Sequence, residues 1–438
     1  MNFGGKMQGL TCVKVVWLVV PLLLSVALPT LAQPSPGSPN PPAQLSAPSP
    51  KAAQPNPKAL IDEVWQIVTR TYIDTSFNGQ NWQAVREQYL ARNYASVEEA
   101  HQAIKQMLQL LGDRYTRFMT PEAFRAAMVQ TAGEPGNIGL KLHWDKRIKA
   151  LVVGLAAEAS PAFKAGLLPG DRLLSIDGRS TQNMFEYEAS GLSTGTPGTP
   201  VVLSVKRGQQ TLQFTATRSA EKFSPLYSRS QITAFGNVGY IRLLEFGPNA
   251  SNSMQTTIQA FEKKPVVGYI LDLRSNPGGL LYAGIELTRQ WLQSGTILSM
   301  TGRDRNVEKE QANQRALTSK PLVVLVDEGS AAASEILASA LQENQRAVLV
   351  GTPTYGQNSV QSVRGLTNAS GLAVTIAKWT TAKGLDISKT GIVPDVRINL
   401  TPTQRQDLVR KRSLGTSADP QYKAAIQALS QQVKGSSR

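Results

Sequence analysis

The chain reads as an α+β multidomain protein: a helical segment, then a small β-rich module, then a layered α/β core. Three observations carry that expectation. Between residues 59 and 132 apolar side chains recur every three or four positions, between 137 and 220 they fall in short alternating runs, and from 236 to 399 compact apolar strands alternate with longer helical stretches. At 438 residues the chain is too long for one compact core, and an apolar content of 41% is enough to build several.

Residues 1–32 hold Lys6 and Lys14, an apolar run over 15–28 broken by Pro21, and short side chains at Thr30 and Ala32. That pattern predicts a secretory signal peptide cleaved after Ala32, with an uncleaved anchor as the alternative. The run is shorter than the roughly 20 residues a membrane span needs. Cys12, the single cysteine, precedes it, so the exported product would carry neither disulfides nor thiolate metal sites. Residues 33–58 are a Pro-, Ser-, Ala-, Gln- and Asn-rich linker that cannot bury a core.

The formal net charge is +15, yet no dense Lys/Arg run with interleaved aromatics occurs, only scattered bases and Arg410-Lys411-Arg412. Nucleic acid is therefore not the expected partner; peripheral attraction to anionic membrane surfaces or acidic partners is.

In the segment 59–132, Leu60, Val64, Ile67 and Val68 share one helical face, and Ile104, Met107, Leu108 and Leu111 share another. Trp65, Trp82 and Tyr89 belong to the core of this helical domain. Across 133–220, strands are expected at 150–153, 172–176 and 201–205, punctuated by Pro169-Gly170-Asp171 and Asp177-Gly178. Asn137-Ile138-Gly139-Leu140, Ser160-Pro161-Ala162, the run Ala165-Gly166-Leu167-Leu168-Pro169-Gly170-Asp171, and Ile176-Asp177-Gly178 make this module resemble a PDZ domain. The resemblance implies capture of a peptide carboxyl terminus by strand addition, with Ile138, Gly139 and Leu140 at the carboxylate cradle.

Residues 221–400 form the α/β core. Strands are expected at 238–243, 266–273, 297–300, 321–326, 347–350 and 371–381, and helices at 253–264, 280–292 and 330–341. Residues 401–438 read as a polar, basic tail with one helix over 420–433. Two turns stand out. The strand at 266–273 runs into Arg274-Ser275-Asn276-Pro277-Gly278-Gly279, where paired glycines let backbone approach a ligand. The strand at 321–326 runs into Asp327-Glu328-Gly329-Ser330 and a small-residue helix, aiming one side chain at a cleft beside free N–H groups.

With the stretch 350–361 (VGTPTYGQNSVQ), these turns make the chain resemble the carboxyl-terminal processing peptidases, the tail-specific S41 family of serine proteases, over about residues 59–400. The implied fold is an S41 core of the ClpP/crotonase type behind a PDZ domain. That family's helix start reads Ser-Ala-Ser-Ala-Ser-Glu with the middle serine as nucleophile, and its base is a lysine 25 residues on; this chain has Ala332 and Gln357 at those places. The resemblance gives supporting roles to Gln361 and Glu343, and leaves a backbone oxyanion hole at Gly278, Gly279 and Ala333.

Alanine has no nucleophile, and a glutamine amide does not accept a proton near neutral pH. Ser330, expected as a helix N-cap, and Ser334, expected to pack in the first turn, are offset from the gap; Lys378 and Lys383 are solvated candidates for a replacement base. His101 and His143 lie in other segments, which argues against a Ser-His-Asp arrangement, and neither a metal nor a cofactor is expected. Asn358 stands where the family has glycine, a change that left-handed backbone would accommodate. The expectation is an exported pseudoprotease that binds the carboxyl-terminal tails of exported proteins. An active peptidase with a non-standard nucleophile and a carrier of an apolar ligand on the same core are the alternatives. Likeness of the helical segment to cyanobacterial and chloroplast members implies periplasm or thylakoid lumen.

Overall fold

A computed structural model describes residues 56–132, 136–145, 147–157, 159–182, 184–221 and 223–436. The expected export signal, Cys12 and nearly all of the Pro-rich segment lie outside the described residues. Among the described residues no helix is long and apolar enough to cross a membrane.

Helices α1 (Pro57–Thr71), α2 (Trp82–Ala91) and α3 (Val97–Gln109) come first. Asn56 caps α1 by accepting the Lys58 N–H, and Pro57 sits where no N–H is needed. Leu60, Val64 and Val68 of α1 pack on Ile104, Met107 and Leu108 of α3, with Trp82 and Tyr89 buried beside them. Trp65 is only partly buried and donates its Nε1–H to the Trp82 carbonyl at 2.7 Å. This cluster also takes in Phe118 from strand β1 (Arg117–Met119) and Leu372 and Val374 from much later in the chain, so the helical segment shares its core with the last domain.

Helix α4 (Pro121–Ala132) leads into β2 (Leu140–Asp145), β3 (Ala150–Ala156), α5 (Pro161–Ala165), β4 (Arg172–Ile176), β5 (Arg179–Ser180), α6 (Glu186–Ser193), β6 (Pro200–Arg207) and β7 (Gln210–Thr217). The strands form an antiparallel sheet in the order β2-β3-β4-β6-β7, with β5 paired to β4. Its core is Ile138, Leu142, Val153, Leu173, Ile176, Val201 and Leu203. Strand β2 is an edge, the position from which a sheet can accept an added strand. Gly139 adopts φ +71° there, and a Cβ on it would lie 2.3 Å from Ser160 Cβ.

The remaining elements are β8 (Leu226–Thr233), β9 (Gly236–Leu243), α7 (Ala250–Glu262), β10 (Val266–Asp272), α8 (Leu281–Trp291), β11 (Thr296–Gly302), β12 (Val307–Gln311), β13 (Leu322–Val326), α9 (Ala333–Glu343), β14 (Val348–Gly351), β15 (Ser359–Gly365), β16 (Gly371–Thr381), β17 (Val396–Arg397), α10 (Pro402–Arg410) and α11 (Pro420–Ser436). The central sheet runs β17-β14-β13-β10-β9-β8, parallel except for β8. Its middle strand β13, Leu-Val-Val-Leu-Val, is buried on both faces, as a parallel strand between helical layers must be. Helices α7, α8 and α9 cover one face. A second, antiparallel sheet orders β1-β16-β11-β12, with β15 on β16.

The residues after 401, expected as a polar tail, instead close the other face of the central sheet. Tyr422, Ala425 and Leu429, three and four residues apart on α11, pack on Val238, Tyr240, Ile270 and Val323. Just before them, Asp419 and Gln421 accept hydrogen bonds from Arg274 Nη1 at 2.8 and 3.0 Å, and Arg274 also grips Asp272 at 2.6 Å. Burial alone would raise the Asp272 carboxyl; the Arg274 guanidinium holds it below the ordinary value instead.

Candidate functional site

The carboxyl ends of the parallel strands β10 and β13 release two turns that are sewn together. Asp327 Oδ1 accepts the Ser275 N–H at 2.7 Å and the Gly329 N–H at 2.9 Å. Across the same gap the Ala331 N–H reaches the Asn276 carbonyl at 3.0 Å. These carboxyl ends of central strands are the end of an open parallel sheet at which α/β folds place their ligands.

The turn after β13 ends at Ala332, with φ 50° and ψ −112°. An L-residue other than Asn or Asp is seldom held at positive φ, and such strain persists only where the surroundings enforce it. The enforcement comes from Glu335, the first acid of α9, which is fully buried. Its Oε2 accepts the Ala332 N–H at 2.9 Å and the Gln357 N–H at 2.8 Å; its Oε1 accepts the Thr354 hydroxyl and the Gly356 N–H, each at 2.5 Å. One carboxylate therefore bridges the two backbone positions to which the resemblance assigns nucleophile and base. Burial pushes the Glu335 carboxyl above its ordinary value, and the four donors offset part of that push. Glu343, by contrast, lies at the far end of α9, accepting Thr381 Oγ1 and the Lys383 N–H at 2.7 Å each; it ties α9 to the turn after β16 and does not reach Ala332. The importance of Glu335 escaped the sequence reading, although its place three residues past the cap, where an acid can reach back to the cap N–H, is the signal that could have found it.

Gly278, Gly279 and Ala333 converge. A Cβ on Gly278 would come within 2.8 Å of Ala333 N and 3.0 Å of Ala332 Cβ, so glycine keeps open the space in front of that N–H. The N–H groups of Gly279 and Ala333 have no acceptor among the described residues, whereas the Gly278 N–H is taken by Asn276 Oδ1 at 2.9 Å. The free pair can hold a carbonyl oxygen. Gln361 lies on β15, and its Nε2 is buried without a hydrogen bond among the described residues.

Neither flanking serine is available. Ser330 does not cap α9 as expected; its hydroxyl donates to the Leu273 carbonyl at 2.8 Å and accepts the Asp327 N–H, while Ala332 holds the cap position. Ser334 is packed, donating to the Asn276 carbonyl at 2.9 Å. Lys378 and Lys383 are exposed. Asn358 does not use left-handed backbone, and its side-chain amide donates to Asp386 Oδ1 at 2.9 Å.

The module of β2–β7 sits over these turns. Gly154 borders both the Ser275 carbonyl and His143 Nδ1. His143, read from sequence as remote, is thus brought to the site, but the Ser275 hydroxyl donates to Asp327 at 3.2 Å, so no Ser-His relay forms. At the edge strand, the Gly139 N–H is taken by Asn137 Oδ1 at 2.8 Å and the Trp144 N–H by Glu186 Oε1 at 3.1 Å. Ile138 is buried beneath, and Leu140 opens β2.

Comparison with known proteins agrees with this architecture. Residues 237–398 match the model of peptidase family S41, 136–217 that of the PDZ domain, and 57–115 that of the Tricorn protease C1 domain. The chain is 40% identical over 373 residues to the carboxyl-terminal-processing protease of Synechocystis sp., covering 84% of this chain and 86% of that one. It is 38% identical over 348 residues to the chloroplastic carboxyl-terminal-processing peptidase 2 of Arabidopsis thaliana, covering 77% and 68%. The solved structure of a photosystem II D1 C-terminal processing protease superposes with a TM-score of 0.70 at 32% identity, over 84% of this chain and 99% of that one. A PDZ-bearing fold with a peptidase-like core is the class so defined. The chain belongs to peptidase family S41, among the homologues of carboxyl-terminal processing proteases.

Proposed function

We propose that this chain is an exported member of the family that captures the carboxyl-terminal tails of other exported proteins without cleaving them. Ala332 carries the reading: the strained turn, the bridging Glu335 and the two free N–H groups that would polarise a carbonyl surround a side chain with no atom to attack it. Gln357, at the expected place of the base, has an amide that is not basic near neutral pH. Where catalytic groups of serine proteases are removed, oxyanion hole and binding leave about 10³ to 10⁴ over water, far below a working enzyme. Strand β2, the Gly139 turn and α6 offer the groove for a peptide end. The lysine-bearing, apolar leader at 1–32 and the cyanobacterial and chloroplastic relatives support export to periplasm or thylakoid lumen.

The test incubates the full chain with a fluorescent peptide ending in an apolar free carboxylate. Anisotropy is expected to show saturable binding, weakened at least tenfold when the peptide is amidated, and mass spectrometry no cleaved product. Appearance of product together with an acylated side chain in the cleft would refute the proposal.

A further inference from the structure

Where the back of the PDZ module meets the central sheet and the residues following α10, the structure holds a cavity of about 190 Å³. No residue of β2 or α6 lines it, nor does Gly278, Ala332 or Gln357. Its walls include Leu155, Phe163 and Leu244, and three arginines, Arg229, Arg242 and Arg412, with no acidic side chain among the lining residues.

Each guanidinium is short of partners. Arg229 gives one N–H to the Gly415 carbonyl and lies over the Tyr240 ring at 4.6 Å. Arg412 gives one N–H to the Phe163 carbonyl at 3.2 Å and stacks 3.5 Å over the Phe163 ring. The Arg242 guanidinium makes no hydrogen bond, and none of the three forms a salt bridge, among the described residues. Asp272, whose carboxylate feels Arg242, is already taken by Arg274 and the Tyr240 hydroxyl. Three like charges line a partly enclosed cavity whose surface is about half apolar, and an anion that brings its own acceptors relieves their mutual repulsion.

The charge asks for an anion, the apolar walls ask that the rest of it be hydrocarbon, and a volume below the roughly 300–1,000 Å³ of drug-sized sites asks that it be short. We infer that this cavity binds a medium-chain fatty carboxylate, its head at Arg242 and its chain against Leu155 and Phe163. The guanidinium fork would also accept a phosphate, so inorganic phosphate is a separate arm of the test.

The experiment is calorimetric titration of the full chain with octanoate, octanol and inorganic phosphate. Octanoate is expected to bind saturably, octanol at least tenfold more weakly, and phosphate without measurable heat. Arg242→Gln, checked for folding by thermal melting, weakens octanoate at least tenfold. Arg412→Gln, at an exposed position that leaves the buried contacts intact, weakens it several-fold. Octanol binding as well as octanoate, phosphate binding as tightly, or wild-type affinity in both variants would each overturn the inference. None of these readouts involves peptide cleavage or amidation, so the result stands apart from the function proposed above.

Discussion

Ala332 is held at φ 50° by hydrogen bonds that a serine would equally make, because at residue 332 they use only the backbone N–H and carbonyl. The turn would therefore accept a serine there without new strain. Ala332→Ser combined with Gln357→Lys is expected to cleave the peptide that the proposed function has the natural chain bind without cleaving, about 10³-fold faster than either single variant, since each alone supplies half of a nucleophile and base that act as a unit. Product formation followed by mass spectrometry decides it; silence in a folded double variant would show that the cleft has been remodelled further, with the Asn358–Asp386 hydrogen bond the first place to look. Ala332 and Gln357 could be singled out from the chain because the positions the resemblance assigns to the dyad sit at fixed spacing in contiguous motifs. Glu335 was not, because its four donors come from residues 332, 354, 356 and 357, which meet only when the loop after β14 folds back over α9.

At the scale of elements, period and composition located strands and helices well where one face is buried. β4 and β16 were expected at 172–176 and 371–381, and both occupy those ranges. Strands β12 and β15 were missed, because exposed polar residues such as Glu308, Lys309 and Arg364 give them no alternating apolar signal. Helix α9 begins three residues later than expected, since the run 330–332 is spent on the turn rather than on helix. Helix α11 was expected as a helix but not as a lid, for its polar majority hides three apolar positions on one stripe. That lid is testable. Leu429 is fully buried against the sheet, so Leu429→Ala should lower unfolding stability by about 3 kcal/mol through lost transfer energy and a residual cavity. Urea titration would show a lower midpoint at unchanged slope; a change under about 1 kcal/mol would mean that α11 merely lies on the surface.

For the molecule as a whole, the PDZ module is seated on the turns of the core through charged contacts. Lys141 pairs with Glu245, and Arg147 approaches Glu328 at 3.5 Å. Between them lies His143, half-buried, with its Nδ1 buried and lacking a hydrogen bond among the described residues. Burial lowers its proton affinity; Asp327, Asp145 and Glu186 pull the other way, Arg147 adds to the lowering, and the net direction is down. The seated state thus favours the neutral ring, while an unseated or unfolded chain titrates it near the ordinary 6.5. Below that value the unseated state binds the extra proton, so seating is strongest above about pH 6.5 and weakens as pH falls through it, by at most roughly 1.4 kcal/mol per pH unit for one histidine. Amide exchange, corrected for its intrinsic pH dependence, should show β3 losing protection between pH 7.5 and 5.5 while β13, deep in the central sheet, keeps it. His143→Phe removes the titrating group and fills the same space with a ring, and should flatten that difference. If acid loosens β3 equally in the variant, the ion pairs at Glu245 and Glu328 carry the pH dependence and the histidine does not.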